Sequence, residues 1–254
     1  MIRIRRLRLP SATRQALDAC AARVRAAPTA KARRTLARRL WKRLVKDGTL
    51  QAVRATLRRM APGVERCMYC EASGGALVDS FRPRRRYPRS AFRWRNLLLA
   101  CGRCHSDAKR DRFPRDPSGR RLLLDPTRDD PREHLTLSPG TGRYEPETPS
   151  GDASIAVFAL NRGALVAGRR DAWGSVEAQI VRYANAAVHH DDARALDARR
   201  TLCRVPHVSV FVELLSVART PVAAKYIAAA CLDALAAHPD IATWVRTDGS
   251  VTPT

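Results

Sequence analysis

The fold is decided by two stretches, Cys67-Met68-Tyr69-Cys70 and Cys101-Gly102-Arg103-Cys104, which residues 71–100 separate. A tight turn within each pair brings two thiolates to the same side, and two such pairs complete the tetrahedral shell that zinc prefers. All four positions are then filled by protein sulfurs, so the spacing predicts a closed, structural zinc site. The predicted ligands are Cys67, Cys70, Cys101 and Cys104. The alternative is that these are four unrelated buried cysteines.

The remaining three of the seven cysteines are Cys20, Cys203 and Cys231. They lie in apolar surroundings with helical periodicity, which predicts small core residues rather than reactive thiols. No apolar run reaches the roughly 20 residues that a membrane span needs. The basic N-terminus lacks the apolar stretch of a signal peptide. We therefore expect a cytoplasmic protein with reduced cysteines and no membrane partner.

The charge of the chain points to a polyanionic partner. The sequence holds 47 Lys and Arg against 24 Asp and Glu, a formal net charge of +23. A surface this basic attracts nucleic acid electrostatically. The alternative is a compositional bias that enriches Arg and Ala without selection for binding. The arginine clusters beside the cysteine pairs favour the first interpretation.

Composition and periodicity divide the chain into three regions. They are a basic N-terminal helical region (1–62), a module with both cysteine pairs and a following loop region (63–150), and a C-terminal helical region (151–254). Apolar spacing predicts helices over about 12–26, 31–45 and 50–60 in the first region. Their opposite faces are dense in Arg and Lys, either as a solvated face or as a phosphate-facing surface.

Several local predictions concern the ends of the chain. Residues 1–8 alternate apolar and basic side chains, which predicts a short edge strand, and Ser11 is the predicted N-cap of the helix that follows. The apolar stretch 205–215 is compatible with a buried strand or with the start of a helix. Residues 223–237 are predicted to form one buried helix.

Motifs between and after the cysteine pairs carry a resemblance to a known family. These motifs are Asp79-Ser80-Phe81-Arg82-Pro83, Trp94-Arg95-Asn96-Leu97-Leu98-Leu99 and His105 to Phe113-Pro114. Together with the turn Cys67–Cys70, the first zinc knuckle, they resemble the HNH endonuclease family, whose core is the ββα-metal fold. More specifically, they resemble the HNH subunits of Septu and retron-associated anti-phage defence systems. This resemblance extends over about residues 1–170, including Leu160-Asn161-Arg162. It implies an α+β fold with a zinc-stapled HNH core between helical regions.

The resemblance also implies roles in metal-dependent phosphodiester hydrolysis, which needs a cation to stabilise phosphate charge and a base to activate water. Asp79 and His105 would be the ligands of a catalytic Mg²⁺ or Mn²⁺. Asn96 would orient the active-site loop, and Lys109 would contact a phosphate. Ser80 departs from the pattern, because the family has its general-base histidine there.

A serine hydroxyl does not ionise near neutral pH, so Ser80 cannot accept a proton from water as imidazole does. Three explanations stay open: a replacement that traps an inactive enzyme, a natural pseudo-nuclease, or a base supplied by another histidine. The candidate for the last is His189-His190-Asp191-Asp192, which is otherwise a polar helix surface.

A set of arginines with interleaved aromatic residues lies between the Asp79 motif and the second cysteine pair. The predicted DNA contacts are Arg82, Arg84, Arg85, Arg86, Arg93 and Arg95, with Lys109. The guanidinium group is a planar, bidentate donor that suits phosphate, so backbone contacts are expected rather than base reading. The alternative is a solubilising loop.

The sequence therefore favours an HNH-type DNA endonuclease of a phage-defence system, impaired at Ser80, and the resemblance implies an ATPase partner. One rival interpretation is a non-catalytic DNA-binding or scaffold subunit. Another is a zinc-ribbon transcription or ribosomal factor, which predicts no second metal site.

Overall fold

The structure, a computed structural model, describes residues 1–61 and 64–244 and has an α+β fold in which helices dominate. Its described α-helices are α1 (Ser11–Ala26), α2 (Ala30–Lys46), α3 (Thr49–Met60), α4 (Pro149–Phe158), α5 (Gly163–Val188), α6 (Asp192–Leu202), α7 (Val208–Val217), α8 (Ala223–Tyr226) and α9 (Ala229–Ala237). The boundary predicted at residues 62 and 63 and the last ten residues of the third region lie outside the described residues.

The three predicted N-terminal helices are confirmed as α1, α2 and α3. The predicted strand over residues 1–8 is wrong, because among the described residues this segment pairs with no strand. Within that part of the chain only Ile4 N–H donates to a backbone carbonyl, that of Pro126, at 2.7 Å. Its apolar side chains still point inward, so the alternation reflects burial without a sheet. The predicted cap is also wrong: Ser11 is the first helical residue, and Pro10 holds the cap position without a side-chain bond.

Two small antiparallel sheets lie between α3 and α4. Strands β1 (Leu77–Ser80) and β2 (Leu97–Ala100) form the first, and β3 (Leu135–Leu137) and β4 (Tyr144–Pro146) form the second. In the first sheet Asp79 is opposite Leu98 and Ser80 is opposite Leu97. A short π-helical segment, Arg103–Lys109, follows β2 directly after the second cysteine pair. This order places the last residues of β1 beside the π-helical segment.

The C-terminal region is helical, as predicted, with two differences in detail. The stretch 205–215 leads into helix α7 and forms no strand. The single helix predicted over 223–237 is wrong, because it is divided into α8 and α9 by Ile227 in an extended conformation. The break frees the N–H of Ala228, which donates to Glu177 Oε1 at 2.8 Å. This bond ties the start of α9 to α5.

Buried apolar side chains from all three predicted regions form one connected core. Leu17 of α1, Leu99 of β2 and Phe211 of α7 belong to it. Cys20, Cys203 and Cys231 are all buried, which agrees with the prediction of core cysteines. No helix in the described ranges is long and apolar enough to cross a membrane.

Candidate metal centre and basic cleft

The four predicted zinc ligands converge on one point. Their Sγ atoms all lie within 4.8 Å of one another, and all four residues are buried. The Sγ atoms of Cys70 and Cys101 are 3.7 Å apart. A tetrahedron with Zn–S bonds of about 2.3 Å has edges of about 3.8 Å, so the donor set fits a zinc ion. Met68 N–H donates to Leu99 O at 2.9 Å and thereby fixes the first knuckle against β2.

Hydrogen bonds within the cluster separate the pKa values of its thiols. The bond with Cys104 lowers the pKa of Cys101, and the same bond raises the pKa of Cys104. Arg162 Nη2 donates to Cys70 Sγ at 3.5 Å. Arg162 therefore places a positive charge beside the sulfurs, where it would help to balance the charge of a zinc tetrathiolate. The resemblance includes Arg162 in its motif but implies no contact with the cysteines.

Asp79 is the centre of a buried polar network at the end of β1. The residue is 2% exposed, its Oδ1 lies 2.6 Å from His105 Nδ1, and its Oδ2 lies 2.9 Å from Lys109 Nζ. Tyr69 O–H donates to Oδ2 at 2.7 Å. Burial would raise the pKa of Asp79, but the Lys109 ammonium and the hydrogen bonds from His105 and Tyr69 hold that pKa at about 2. Asp79 is therefore a carboxylate at neutral pH.

Asp79 and His105, the two predicted ligands of a catalytic metal, are thus in direct contact. Among the described residues, only the four cysteines form a group of three or more His, Cys, Asp and Glu side chains able to share an ion. Mg²⁺ keeps several waters and often takes one or two protein ligands together with substrate phosphates. A carboxylate and an imidazole facing a cleft fit that chemistry, and an ion bound to both would replace their hydrogen bond.

Ser80 lies in the same cleft as Asp79 and His105. The residue is 5% exposed, and its Oγ has no hydrogen-bond partner among the described residues. Its carbonyl oxygen accepts a hydrogen bond from Lys109 Nζ at 2.6 Å. The position at which the resemblance places a general base therefore carries a buried hydroxyl without a hydrogen-bond partner among the described residues.

Asn96 fastens the loop after β1. Its Oδ1 accepts from Arg82 N–H at 2.8 Å, and its Nδ2 donates to Arg82 O at 3.1 Å. Phe81 N–H donates to Asn96 O at 2.8 Å. This is the geometry that the predicted loop-orienting role requires, and the role itself stays a prediction.

The predicted DNA-binding arginines line three different pockets. Arg84 and Arg85 line the cleft of about 610 Å³ that contains Asp79. Arg82, Arg93 and Arg95 line a separate, smaller pocket. Arg86 lines a third depression, beside Phe113.

Lys109 is fully buried and bonded to Asp79, so it is not a surface contact for phosphate in this structure. His189 lies in a different pocket, formed by α5, α6 and α9, and neither it nor His190 lines the cleft. The structure therefore does not place this histidine pair beside Ser80.

Two features of the site were missed at the sequence level. Tyr69 lies between Cys67 and Cys70 and was not predicted as a site residue, yet its hydroxyl donates a hydrogen bond to Asp79. Arg34 and Arg38 of α2 line the cleft from a distant part of the chain. The sequence predicted a basic face on this helix, either solvated or phosphate-facing, but not its position beside Asp79, which depends on tertiary packing.

Fold and site define an α+β protein with a buried four-cysteine cluster and a carboxylate–imidazole pair in a basic cleft. The chain is similar to Septu protein PtuB of Bacillus mycoides (strain KBAB4), with 29% identity over 161 residues that cover 52% of this chain and 54% of that protein. It is also similar to Septu protein PtuB of Bacillus thuringiensis, with 31% identity over 77 residues, 28% of each chain. The predicted resemblance to Septu proteins is therefore confirmed.

The chain spans about half the length, or less, of the curated relatives it matches. No family model matches the chain. No solved structure matches it either.

Proposed function

We propose that this chain is the HNH-type nuclease subunit of a Septu-like anti-phage defence system, and that DNA is its substrate. The observation that carries the proposal is the contact of 2.6 Å between His105 Nδ1 and Asp79 Oδ1. It joins the end of β1 to the π-helical segment after β2, the arrangement expected of a ββα-metal core. The similarity to Septu proteins supports the same class.

In this proposal Asp79 and His105 would hold a Mg²⁺ or Mn²⁺ ion, which would stabilise the charge that develops on the phosphate. Tyr69 and Lys109 keep Asp79 ionised and oriented through their contacts with Oδ2. Asn96 fixes the loop that leads to the arginines of the cleft. The zinc cluster fastens this unit to the core without taking part in the reaction.

Ser80 limits the chemistry of this site. Loss of general-base catalysis costs about 10²–10⁴ in rate, so we expect the chain to cut DNA slowly. The DNA would be held mainly through its backbone, and an ATPase subunit of the same system is the proposed protein partner.

A second candidate is a non-catalytic DNA-binding subunit. The buried ion pair of Asp79 with Lys109 favours it, because the ammonium neutralises the carboxylate without a divalent ion. The zinc-ribbon alternative gains no such support, since it provides no reason for a buried Asp79–His105 pair beside the cluster.

Manganese binding tests the proposal. We expect electron paramagnetic resonance to show one bound Mn²⁺ per zinc-loaded chain, and Asp79→Asn to abolish that signal while the zinc content stays the same. Asp107→Asn is the matched control, because Asp107 is exposed and lies on the same π-helical segment. Equal Mn²⁺ binding by the parent chain and by Asp79→Asn would rule out the proposed ion site.

A further inference from the structure

The cleft beside Asp79 has a second basic wall, which the arginine-rich loop does not supply. Besides Asp79 and Ser80, its lining includes Arg34 and Arg38 of α2, and both arginines are exposed. Helix α2 belongs to the N-terminal region, far in sequence from the cysteine module. Two distant segments of the chain therefore meet around the candidate site.

Every charged residue of α2 is basic. The helix contains basic residues at eight of its positions and no Asp or Glu. Arg34, Arg38 and Lys42 follow one another at four-residue spacing, so they form a stripe along one face. Like charges at this spacing repel each other and destabilise a helix. None of the three has an ion pair or a hydrogen bond within the described part of the chain. The stripe therefore lacks an internal partner that would offset the repulsion.

A second observation at the cleft points to a ligand. Ser80 Oγ is buried and has no hydrogen-bond partner among the described residues. A buried hydroxyl without a partner is unfavourable, because it loses water without gaining a replacement bond. An oxygen of a ligand that enters the cleft would satisfy it.

The two walls are held together by a cation–π contact. The guanidinium carbon of Arg84 lies 3.7 Å from the centroid of the Trp41 ring on α2. Such a contact stabilises a fixed separation between the loop and the helix. Arg34 and Arg38 of the stripe thus line the same cleft as Ser80, and Lys42 continues the stripe beyond it.

We propose that the stripe Arg34–Arg38–Lys42 binds the phosphate backbone of a DNA strand, of which one phosphate enters the cleft and accepts a hydrogen bond from Ser80 Oγ. Arginine suits this role because its guanidinium binds phosphate oxygens in a bidentate manner. The inference rests on the proposed function for its substrate class, and it adds a surface outside the cysteine module. It also gives a role to an unbalanced row of positive charges that begins beside the cleft.

The test compares two double variants of the zinc-loaded full chain in binding to fluorescently labelled duplex DNA at several salt concentrations. Arg34→Ala/Arg38→Ala should weaken binding and reduce the slope of log K against log salt by about 2, since each lost phosphate contact accounts for about 0.9. Lys31→Ala/Arg39→Ala removes the same charge from the same helix, at residues that line a different surface. That control should leave the slope close to the parent value.

Thermal unfolding separates this role from a structural one. Arg34→Ala/Arg38→Ala should be at least as stable as the parent at low salt, because it relieves like-charge repulsion. Ser80→Ala should bind DNA several-fold more weakly with an unchanged salt slope, since it removes a hydrogen bond and no charge.

Equal effects of the two double variants would overturn the inference, because charge alone would then explain them. Unchanged binding by Arg34→Ala/Arg38→Ala would overturn it as well, while Mn²⁺ binding at Asp79 would still decide the proposed function. If no Mn²⁺ binds but this variant selectively loses DNA binding, the stripe is supported as part of a non-catalytic DNA-binding subunit.

Discussion

Lys109 Nζ lies 2.9 Å from Asp79 Oδ2 inside the protein, where neither side chain is more than 3% exposed. This ion pair makes Lys109 a structural partner of the candidate metal ligand. Removal of one member of a buried pair leaves an uncompensated charge and costs about 3–5 kcal/mol. Lys109→Met should therefore lower the free energy of unfolding by about 3 kcal/mol, as measured by urea denaturation.

Two further variants make this prediction specific. Asp79→Asn/Lys109→Met should lose less stability than the sum of the two single changes, because the charges compensate each other. Lys46→Met is the control at an exposed position of α2, where a change of less than about 0.5 kcal/mol is expected. Strict additivity of Asp79→Asn and Lys109→Met would contradict the pairing.

The cysteine cluster predicts one tightly bound zinc per chain. Elemental analysis of freshly purified protein should find one zinc, and a strong chelator should lower the melting temperature, because metal binding contributes free energy to folding. Cys101→Ser should leave the chain insoluble, whereas Cys231→Ser, a buried change outside the cluster, should retain the zinc. Zinc-free protein that unfolds at the same temperature would disprove a structural metal.

The sequence predicted best where spacing alone defines the chemistry. Two Cys-x-x-Cys pairs leave little freedom, and the four sulfurs meet as expected. Helices α1 to α3 followed from their apolar periodicity. The strand predicted at residues 1–8 failed, since alternating burial does not require a pairing partner.

Site details that depend on tertiary packing were not accessible in the same way. Nothing in the local sequence around Lys109 shows that the side chain turns inward to Asp79. The distribution of the loop arginines over different pockets depends on the path of residues 81–96. The contribution of α2 to the cleft depends on how the N-terminal helices pack against the cysteine module.

The loop arginines should contribute to DNA binding that depends strongly on salt and little on sequence. Arg84→Ala/Arg85→Ala/Arg86→Ala should flatten the salt dependence, because fewer phosphates are then neutralised. Arg14→Ala/Arg23→Ala/Arg25→Ala on exposed positions of α1 removes equal charge and should have a smaller effect. The measurement is fluorescence anisotropy with two unrelated duplex sequences. An unchanged slope in the first triple variant would show that the loop does not bind DNA.

His207 should make the stability depend on pH. Burial lowers the pKa of His207 to about 4, and Glu71 only partly opposes this effect. The unfolded chain therefore binds more protons at this residue between pH 4 and its ordinary pKa of about 6.5. The free energy of unfolding therefore keeps its full value above that ordinary pKa and decreases as the pH falls toward 4. The decrease due to His207 is at most about 3 kcal/mol.

Urea denaturation of His207→Asn over this pH range should show a flatter dependence than the parent. Asparagine suits the position because His207 has a φ of 59°, in the left-handed region that Asn tolerates. His190→Asn is the matched control, since His190 has a φ of 53° and is exposed. Parallel curves for the parent and His207→Asn would locate the pH dependence elsewhere.

Ser80 allows the proposed chemistry to be tested by adding a single group. Ser80→His should confer cutting of plasmid DNA in the presence of Mg²⁺ or Mn²⁺, and the parent should cut poorly or not at all. Imidazole has an unperturbed pKa near 6.5, so it accepts a proton at neutral pH, whereas a serine hydroxyl does not. The expected gain is about 10²–10⁴ in rate, the usual share of general-base catalysis.

The scaffold around this position supports the expectation. Asp79 and His105 are in contact, Asn96 holds the loop after β1 and the four cysteines converge, whereas a long-decayed site would have lost several of these features. The assay needs the zinc-loaded chain with and without chelator and with a partner ATPase present. Ser80→His/Asp79→Asn is the control that keeps the imidazole but removes the proposed metal ligand, and it should not cut.

Equal cutting by the parent and Ser80→His would show that the base lies elsewhere. Absence of cutting by Ser80→His, despite Mn²⁺ bound at Asp79, would favour a subunit that holds DNA without cleaving it.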